Sequence, residues 1–230
     1  MRGVVTGESL QKVLDHYQDG DWRADRAFIT GDLIQDDSSG AYEQFRELLL
    51  PLNMRMHCIP GNHDVRALMR PVCSRPPFSY CAKEEIRDWL VIGLDSCISG
   101  EAGGEVAADE LPRLKEIISA SPAKHVMVCL HHPPIPMGSA WLDTVGLKNS
   151  DLFFEYMQES GKVRLLIFGH AHQAYDAQHF GIRVIGTPST CRQFKPQSKK
   201  FSVDDHPPAY RRITLHADGS TDSELIWIES

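Results

Sequence analysis

The chain has 230 residues, of which 42% are hydrophobic and 24% are charged, and its formal net charge is -7. This length fits one domain of α/β type or a large β-sandwich. The acidic balance argues against a general nucleic-acid surface, which needs a clustered basic face, and the chain contains no apolar run of about 18 residues that could span a membrane.

The cysteines and the start of the chain bear on its location. None of the six cysteines has metal-finger spacing, and Cys58, Cys97 and Cys129 lie in or beside apolar runs, as buried reduced thiols do. No basic-then-apolar leader precedes Glu8. We therefore expect a cytoplasmic protein with neither a membrane nor a nucleic acid as partner. The sequence carries no signal for an oligomeric state.

Taken in chain order, the predicted elements alternate between helices and strands. Helical patterns are present at residues 8–18, 41–50, 109–119 and 150–159. Six short apolar runs, rich in β-branched or bulky residues, predict buried strands at residues 27–30, 54–59, 90–94, 125–130, 163–168 and 182–185. This alternation predicts a largely α/β fold.

The end of the chain has a different pattern. Residues 192–208 are polar and contain prolines, which predicts a long loop. Residues 210–215 and 223–228 alternate and flank a turn-type segment around Gly219, which predicts an antiparallel hairpin at an edge.

Polar residues of the metal-binding type directly follow four of the predicted strands. The motifs are GD at 31–32, GNHD at 61–64, HHPP at 131–134 and GHAH at 169–172. Each alone is compatible with ordinary turn chemistry. Because ligands bind at the carboxyl ends of strands in open α/β sheets, the four together predict one site.

The residue types in these motifs suit a particular chemistry. Asp, Asn and His without cysteine suit borderline divalent ions such as Mn, Fe or Zn. Two such ions about 3.5–4 Å apart can clamp a phosphate. Asp32 can bridge two ions with its two oxygens, and the neutral Asn62 keeps the site positive towards an anionic ester. His63 can protonate or stabilise a leaving oxygen.

The order of the four motifs resembles the calcineurin-like metallophosphoesterase superfamily. GTPSTCRQF at 186–194, YRRITLHADG at 210–219, and Arg2-Gly3-Val4 followed by Glu8-Ser9 narrow the resemblance. They are similar to bacterial class III 3′,5′-cyclic-AMP phosphodiesterases of the CpdA (Icc) type. The resemblance covers essentially the whole chain and implies a four-layer α/β/β/α sandwich.

The resemblance also implies a dinuclear metal site. By motif position, Asp32 would bridge two divalent ions, Fe²⁺ or Mn²⁺, with Zn²⁺ as the alternative. Asn62, His131 and His170 would complete the site of one ion, and His172 would serve the other.

Catalytic and substrate-binding roles follow from the same resemblance. His63 would be the catalytic histidine near the leaving group, and Asp64 would steer it. Asn62, His63 and His172 would contact the substrate. A metal-bridging hydroxide would open the 3′ ester of cyclic AMP and give 5′-AMP.

One motif of the family has no counterpart here. The family carries an Asp-x-His on its first strand, ahead of GD, that supplies two ligands of the first metal. The only histidine before Asp32 is His16, inside the predicted helix at 8–18. We therefore expect residues 1–230 to be a single metallophosphoesterase domain that is N-terminally incomplete, with Met1 an internal methionine. If the chain truly starts at Met1, we expect weak loading of the first metal and reduced activity.

Two other functions stay open. One is a phosphodiesterase for another ester, a glycerophosphodiester or a nucleotide, because the residues that hold the alcohol or base lie in variable loops. Met137, Trp141, Phe194 and the loop at 192–208 are the candidates for that contact. The other is a catalytically impaired homologue that binds a nucleotide without turnover, which the absent Asp-x-His favours.

Overall fold

The structure is a computed structural model that describes residues 3–35 and 38–229. Met1 and Arg2 lie outside the described residues, and with them the first residue of the Arg2-Gly3-Val4 motif.

Five α-helices are present in the described part of the chain, and each buries one apolar face. They are α1 (Thr6–Asp19), α2 (Ser39–Leu49), α3 (Arg66–Cys73), α4 (Glu110–Ala120) and α5 (Ser150–Glu159). Four of them confirm the predicted helices. The hydroxyl of Ser38 accepts a hydrogen bond from the backbone N–H of Ala41 and so caps α2. The sequence analysis missed α3, which is short and has Pro71 inside it.

The strands of the described residues include all six that were predicted. They are β1 (Arg26–Ile29), β2 (Arg55–Cys58), β3 (Phe78–Tyr80), β4 (Lys83–Ile86), β5 (Trp89–Gly93), β6 (His125–Leu130), β7 (Val163–Phe168), β8 (Tyr175–His179), β9 (Ile182–Gly186), β10 (Gln193–Phe194), β11 (Val203–Asp204), β12 (Ala209–Leu215) and β13 (Thr221–Trp227). Strands β12 and β13 confirm the predicted hairpin.

Two main sheets are present. A parallel three-stranded sheet has the order β1-β2-β3, and a six-stranded sheet has the order β4-β5-β6-β7-β9-β8. In the larger sheet β5, β6, β7 and β9 are parallel, and the edge strands β4 and β8 are antiparallel to their neighbours. The β12–β13 hairpin and the β10–β11 pair form separate two-stranded sheets.

The core has three layers of apolar side chains, one between each pair of neighbouring element layers. Leu14, Phe45 and Met69 of α1, α2 and α3 pack on Met56 and its neighbours in the small sheet. Helices α4 and α5 cover one face of the large sheet. The other face, with residues such as Val91, Met127 and Ile167, packs towards Phe28 and Ile59 of the small-sheet side. This is the predicted α/β/β/α sandwich, in which alternate residues of each strand face opposite layers.

The strands missed by the sequence analysis are short or lie at edges. β4 and β8 are edge strands in which exposed and half-buried residues alternate, so they lack the continuous apolar runs of β6 and β7. The prediction of a long loop at 192–208 was wrong in part, because β10 and β11 lie within it. Their pairing joins residues that are distant in sequence, which a local pattern does not reveal.

The carboxyl ends of β1, β2, β6 and β7 meet at one end of the molecule. Thr30, the residue after β1, accepts a hydrogen bond through its carbonyl oxygen from Nδ1 of His131, the residue after β6, at 2.6 Å. The backbone N–H of Gly169, after β7, donates to the carbonyl of His131 at 3.1 Å. The two sheets therefore bring their metal-type motifs together.

A charged cluster ties the two sheets together through β4. The carboxylate of Glu84 in β4 accepts hydrogen bonds from Arg26 of β1 at 2.7 Å and from Arg55 of β2 at 2.8 Å. Nε2 of His57 lies 2.8 Å from the same carboxylate, and the His57 ring stacks on Phe28 at 4.8 Å between ring centroids. The bond from Arg26 lowers the pKa of Glu84 to about 2.

Within residues 3–35 and 38–229, no helix is long and apolar enough to cross a membrane. That residues 1–230 form one domain stays a prediction.

Replacing Glu84 tests the cluster between the sheets. We expect Glu84→Gln to lower the free energy of unfolding at pH 7 by about 2–3 kcal/mol, because three cationic or imidazole partners lose their carboxylate. Because the folded-state pKa of Glu84 lies below its ordinary value of 4.5, the unfolded chain takes up the proton first as pH falls. The difference between wild type and variant should thus be complete above pH 4.5 and shrink towards about pH 2.

Urea unfolding across this pH range measures the effect. The control is Glu159→Gln, which breaks the exposed pair with Lys115 and should leave the free energy of unfolding close to that of the wild type. Equal stabilities of wild type and Glu84→Gln at pH 7 would contradict the prediction.

Candidate metal centre and active site

Three of the predicted metal ligands have an uncommon backbone conformation. Asp32, His170 and His172 have φ angles of 56°, 58° and 50°. Side chains with a Cβ rarely adopt this left-handed region, and it is over-represented at functional sites, where the surrounding structure holds it. The turns after β1 and β7 therefore hold these three residues in a strained backbone conformation, which sets the direction of their side chains.

Three candidate ligand atoms lie close to Nε2 of His131. Nε2 of His131 lies 3.3 Å from Oδ1 of Asn62, 3.5 Å from Oδ2 of Asp32 and 3.1 Å from Nδ1 of His170. Ligand atoms bound at about 2.0–2.2 Å to a common ion lie roughly 2.9–3.6 Å from one another. Each of the three distances from His131 therefore lies in the range expected for two ligands of the same metal ion.

The contacts of His131 indicate that a cation would be stabilised between its Nε2 and the neighbouring oxygens. Its Nδ1–H donates to the carbonyl of Thr30, which leaves a lone pair on Nε2. That lone pair faces two oxygens, Oδ1 of Asn62 and Oδ2 of Asp32. A cation between them relieves the repulsion, so the donor set of carboxylate, amide and imidazoles fits a divalent metal.

Burial and neighbouring charge set the protonation of this group. Burial acts to raise the pKa of Asp32, but the adjacent His131 outweighs it and lowers the pKa below its ordinary value. Burial acts to lower the pKa of His131, and the Asp32 carboxylate raises it above its ordinary value. Burial lowers the pKa of His170, and it lowers that of His172 to about 4. These last two imidazoles are neutral at pH 7, as metal ligands must be.

His172, in the turn after β7, lies beside this set and next to the segment that follows β9. Its Nδ1–H donates to the carbonyl of Arg192 at 2.6 Å, which leaves the lone pair on Nε2. The charges of Asp32, His131 and His63 all act on the His172 imidazole. His172 is therefore oriented as a ligand near the same carboxylate.

His63 is held by its backbone while its side chain is exposed. The backbone N–H of His63 donates to Oδ1 of Asp32 at 3.0 Å. The side chain belongs to the exposed part of the GNHD turn. It is accessible to a substrate that approaches the site from solvent.

Asp64 joins the first two motifs. Its carboxylate accepts hydrogen bonds from the backbone N–H of Leu33 at 3.1 Å, from that of Gly61 at 2.9 Å and from the hydroxyl of Tyr42 at 3.0 Å. Among the described residues it makes no hydrogen bond with the imidazole of His63. Asp64 therefore fixes the turns that carry the candidate ligands, and its steering of His63 stays a prediction.

The sequence analysis quoted His132 in the HHPP motif but gave it no role. His132 is fully buried, its Nδ1 lies 2.8 Å from Oγ of Ser96, and its Nε2 has no hydrogen-bond partner among the described residues. Ligand atoms of His132, His131 and His170 all lie within 4.8 Å of one another. Burial lowers the pKa of His132 to about 3, so it is neutral at pH 7. Its adjacency to His131 was the signal available in the sequence.

Two of the candidate substrate residues, Trp141 and Phe194, form an aromatic group beside His172. The Phe194 ring stacks on the His172 ring, and the Trp141 ring contacts Phe194 with centroids 5.5 Å apart. Met137 and Trp141 both pack against the large-sheet core. Tyr42, which bonds to Asp64, carries no motif signal and could not be found from sequence.

Comparison with known families shows to which family the chain belongs. Residues 7–174 match the calcineurin-like phosphoesterase family. The chain belongs to this family. Members of the family use two metal ions, and the predicted resemblance is confirmed.

Curated relatives share much of the sequence. The chain is 37% identical over 225 residues to a 3′,5′-cyclic adenosine monophosphate phosphodiesterase CpdA of Haemophilus influenzae, an alignment that covers 97% of this chain and 82% of that protein. It is 36% identical over 223 residues to the CpdA of Vibrio vulnificus, covering 96% of this chain and 81% of that protein.

Solved structures share the fold. A dimetal phosphatase from Danio rerio superposes with a TM-score of 0.65 at 15% identity, covering 96% of this chain and 89% of that one. A protein from Thermus thermophilus gives a TM-score of 0.58 at 16% identity, covering 86% of this chain and 92% of that one. At these identities the likeness confirms the α/β sandwich alone.

Gly61 tests how closely the two turns must approach. A Cβ added at Gly61 would lie 2.1 Å from Oδ1 of Asp32, closer than any side chain tolerates. We expect Gly61→Ala to displace Asp32 and to weaken Mn²⁺ binding by more than about 10-fold, measured by isothermal titration calorimetry.

The matched control is Gly7→Ala in α1, where an added Cβ meets no heavy atom of residues 3–35 and 38–229 within 4 Å. This variant should bind Mn²⁺ as the wild type does. Wild-type affinity in folded Gly61→Ala protein would show that Asp32 does not depend on the tight turn.

Proposed function

We propose that this protein hydrolyses 3′,5′-cyclic AMP to 5′-AMP. The observation that carries the proposal is the cluster of Asp32, Asn62 and His170 around His131 in a chain 36% identical to a CpdA phosphodiesterase over 223 residues. Water adds across the bond between phosphorus and the 3′ oxygen, so that the ring opens and one oxygen and one proton stay on phosphorus. The second proton goes to the 3′ oxygen.

The proposed ligands divide into two groups around Asp32. Asn62, His131 and His170 hold one divalent ion with Asp32, and His172 serves the second, with Fe²⁺ or Mn²⁺ proposed ahead of Zn²⁺. When bound, the two ions polarise the phosphoryl oxygens and lower the pKa of the attacking water. With two divalent ions bound, the neutral imidazoles and the single carboxylate would leave this site with net positive charge towards an anionic phosphodiester.

His63 is the proposed proton donor to the leaving 3′ oxygen. Its backbone N–H is fixed on Asp32, so the exposed imidazole stays at the edge of the metal set. Asn62, next to it, links metal and substrate, and His172 approaches the substrate from the opposite turn. Asp64 supports His63 indirectly, by holding the turn through Gly61.

Activity on another phosphoester is the alternative within the same family. It is supported by the aromatic group of Trp141 and Phe194, which lies where an alcohol or base would be recognised and can pack against several of them. We also propose that the enzyme acts in the cytoplasm on a small-molecule substrate.

A substrate panel with Mn²⁺ separates these activities. We expect turnover of 3′,5′-cyclic AMP to exceed that of glycerophosphocholine and of AMP, measured by chromatography of the products. Asn62→Ala removes one of the candidate ligands in this cluster and should reduce turnover by at least about 100-fold.

Gln158→Ala, which removes an exposed amide on α5, is the matched control and should keep full activity. Preferred hydrolysis of the glycerophosphodiester would favour the alternative. Binding of cyclic AMP without turnover of any substrate would favour a catalytically impaired homologue.

Substitution of His63 tests the proton donor. We expect His63→Ala to lower kcat by about 10²–10⁴-fold, because the leaving oxygen loses its acid. Mn²⁺ affinity should stay unchanged, since the backbone N–H that bonds to Asp32 is retained in alanine. His216→Ala, at the far hairpin and paired with Asp222, is the control. An equal loss of Mn²⁺ affinity and kcat in His63→Ala would mean that His63 acts on the metal set.

A further inference from the structure

We propose that Phe194 is a positioning residue that fixes the imidazole of His172. The inference rests on the proposed function, because it concerns a ligand of the proposed second ion. Its physical basis is a set of three contacts, called the clamp below, between the segment that follows β9 and the turn that follows β7.

The clamp consists of three contacts between two short stretches of chain. The rings of Phe194 and His172 are stacked, with centroids 4.1 Å apart and planes 5° from parallel. The Nδ1–H of His172 donates to the carbonyl of Arg192 at 2.6 Å. The backbone N–H of Phe194 donates to the carbonyl of His172 at 3.2 Å.

These contacts restrict different motions of the His172 side chain. Rotation about χ2 of histidine is soft, so without a second contact the ring can rock away from the Arg192 carbonyl and lose the hydrogen bond that holds its tautomer. The flat contact with Phe194 stops that rocking, and the bond to Arg192 selects the tautomer. Together they leave the lone pair of Nε2 in one direction.

Phe194 is itself held from behind by two further rings. Its centroid lies 5.5 Å from that of Trp141 and 5.1 Å from that of Phe201, and only 9% of Phe194 is exposed. Phe194 also pairs with Val203 in the β10–β11 ladder. The aromatic group therefore supports the ligand His172 as well as lying near the proposed substrate.

The direct test is the tautomer of His172, read by long-range ¹H–¹⁵N correlation spectra of the protein without metal at pH 7.5. The signal is assigned by its absence in His172→Gln. We expect one tautomer in the wild type, protonated at Nδ1. Phe194→Leu should give averaged ring nitrogen shifts, and Phe194→Tyr, which retains the ring, should restore the wild-type pattern.

Mn²⁺ titration gives the functional readout. We expect Phe194→Leu to weaken Mn²⁺ binding by about 10–100-fold, the range for residues that orient a ligand. In a His172→Gln background the same substitution should have no further effect. The control is Phe45→Leu, which removes a ring that is 7% exposed and packs on Phe78, away from the site.

An unchanged single tautomer in Phe194→Leu would overturn the proposal, as would a full additional loss of Mn²⁺ affinity in the His172→Gln background. The spectra need no substrate. A failure to hydrolyse cyclic AMP would therefore reject the proposed function and leave this test intact, while an active enzyme with an unchanged tautomer would reject only the clamp.

Discussion

The hydrogen bond from His131 to the carbonyl of Thr30 is the contact on which the site depends. It joins the ends of β6 and β1, which belong to different sheets, and it fixes the tautomer of His131. Because Nδ1 carries the proton, Nε2 is the atom that faces Asp32, Asn62 and His170. A small rotation between the sheets would break this bond and spread the four ligand atoms. The rigidity of the sandwich is therefore a requirement of the metal site.

The loops around the candidate ligands pack so closely that two of their positions have no room for a Cβ atom. Gly31 has a φ of 96°, and a Cβ added there would lie 2.4 Å from Nδ1 of His131. Gly104 plays the same part on the other side, since a Cβ there would lie 2.2 Å from Nδ1 of His132. Glycine at these two positions lets the loops touch imidazole rings directly. The glycine of the GD motif is therefore as specific a requirement as the aspartate.

The sequence predicted those parts of this arrangement that depend on residues close together in the chain. Strands β6 and β7 are buried on both faces and read as continuous apolar runs, and the ligands follow them directly. The edge strand β4 was missed because its sequence, KEEI, is charged, and its Glu84 is useful only through contacts with another sheet.

Contacts between residues distant in sequence explain the other differences. The bond from Tyr42 to Asp64 spans 22 positions, and that from His132 to Ser96 spans 36. The β10–β11 pair, inside the segment predicted as a loop, exists because Phe194 packs between His172 and two aromatic rings. A local pattern carries none of these partners.

The candidate ligands on the two sides of Asp32, His131 and His172, are held by different kinds of contact. On one side His131 is almost fully buried and anchored to a strand end, so its geometry follows the core. On the other side His172 is held by the carbonyl of Arg192 and the ring of Phe194, which belong to an extended segment near the surface. Motion of that segment can change the second ligand position while leaving the first unchanged. Under the proposed function, metal affinity on the His172 side and substrate recognition by the aromatic group would therefore be coupled through one stretch of chain.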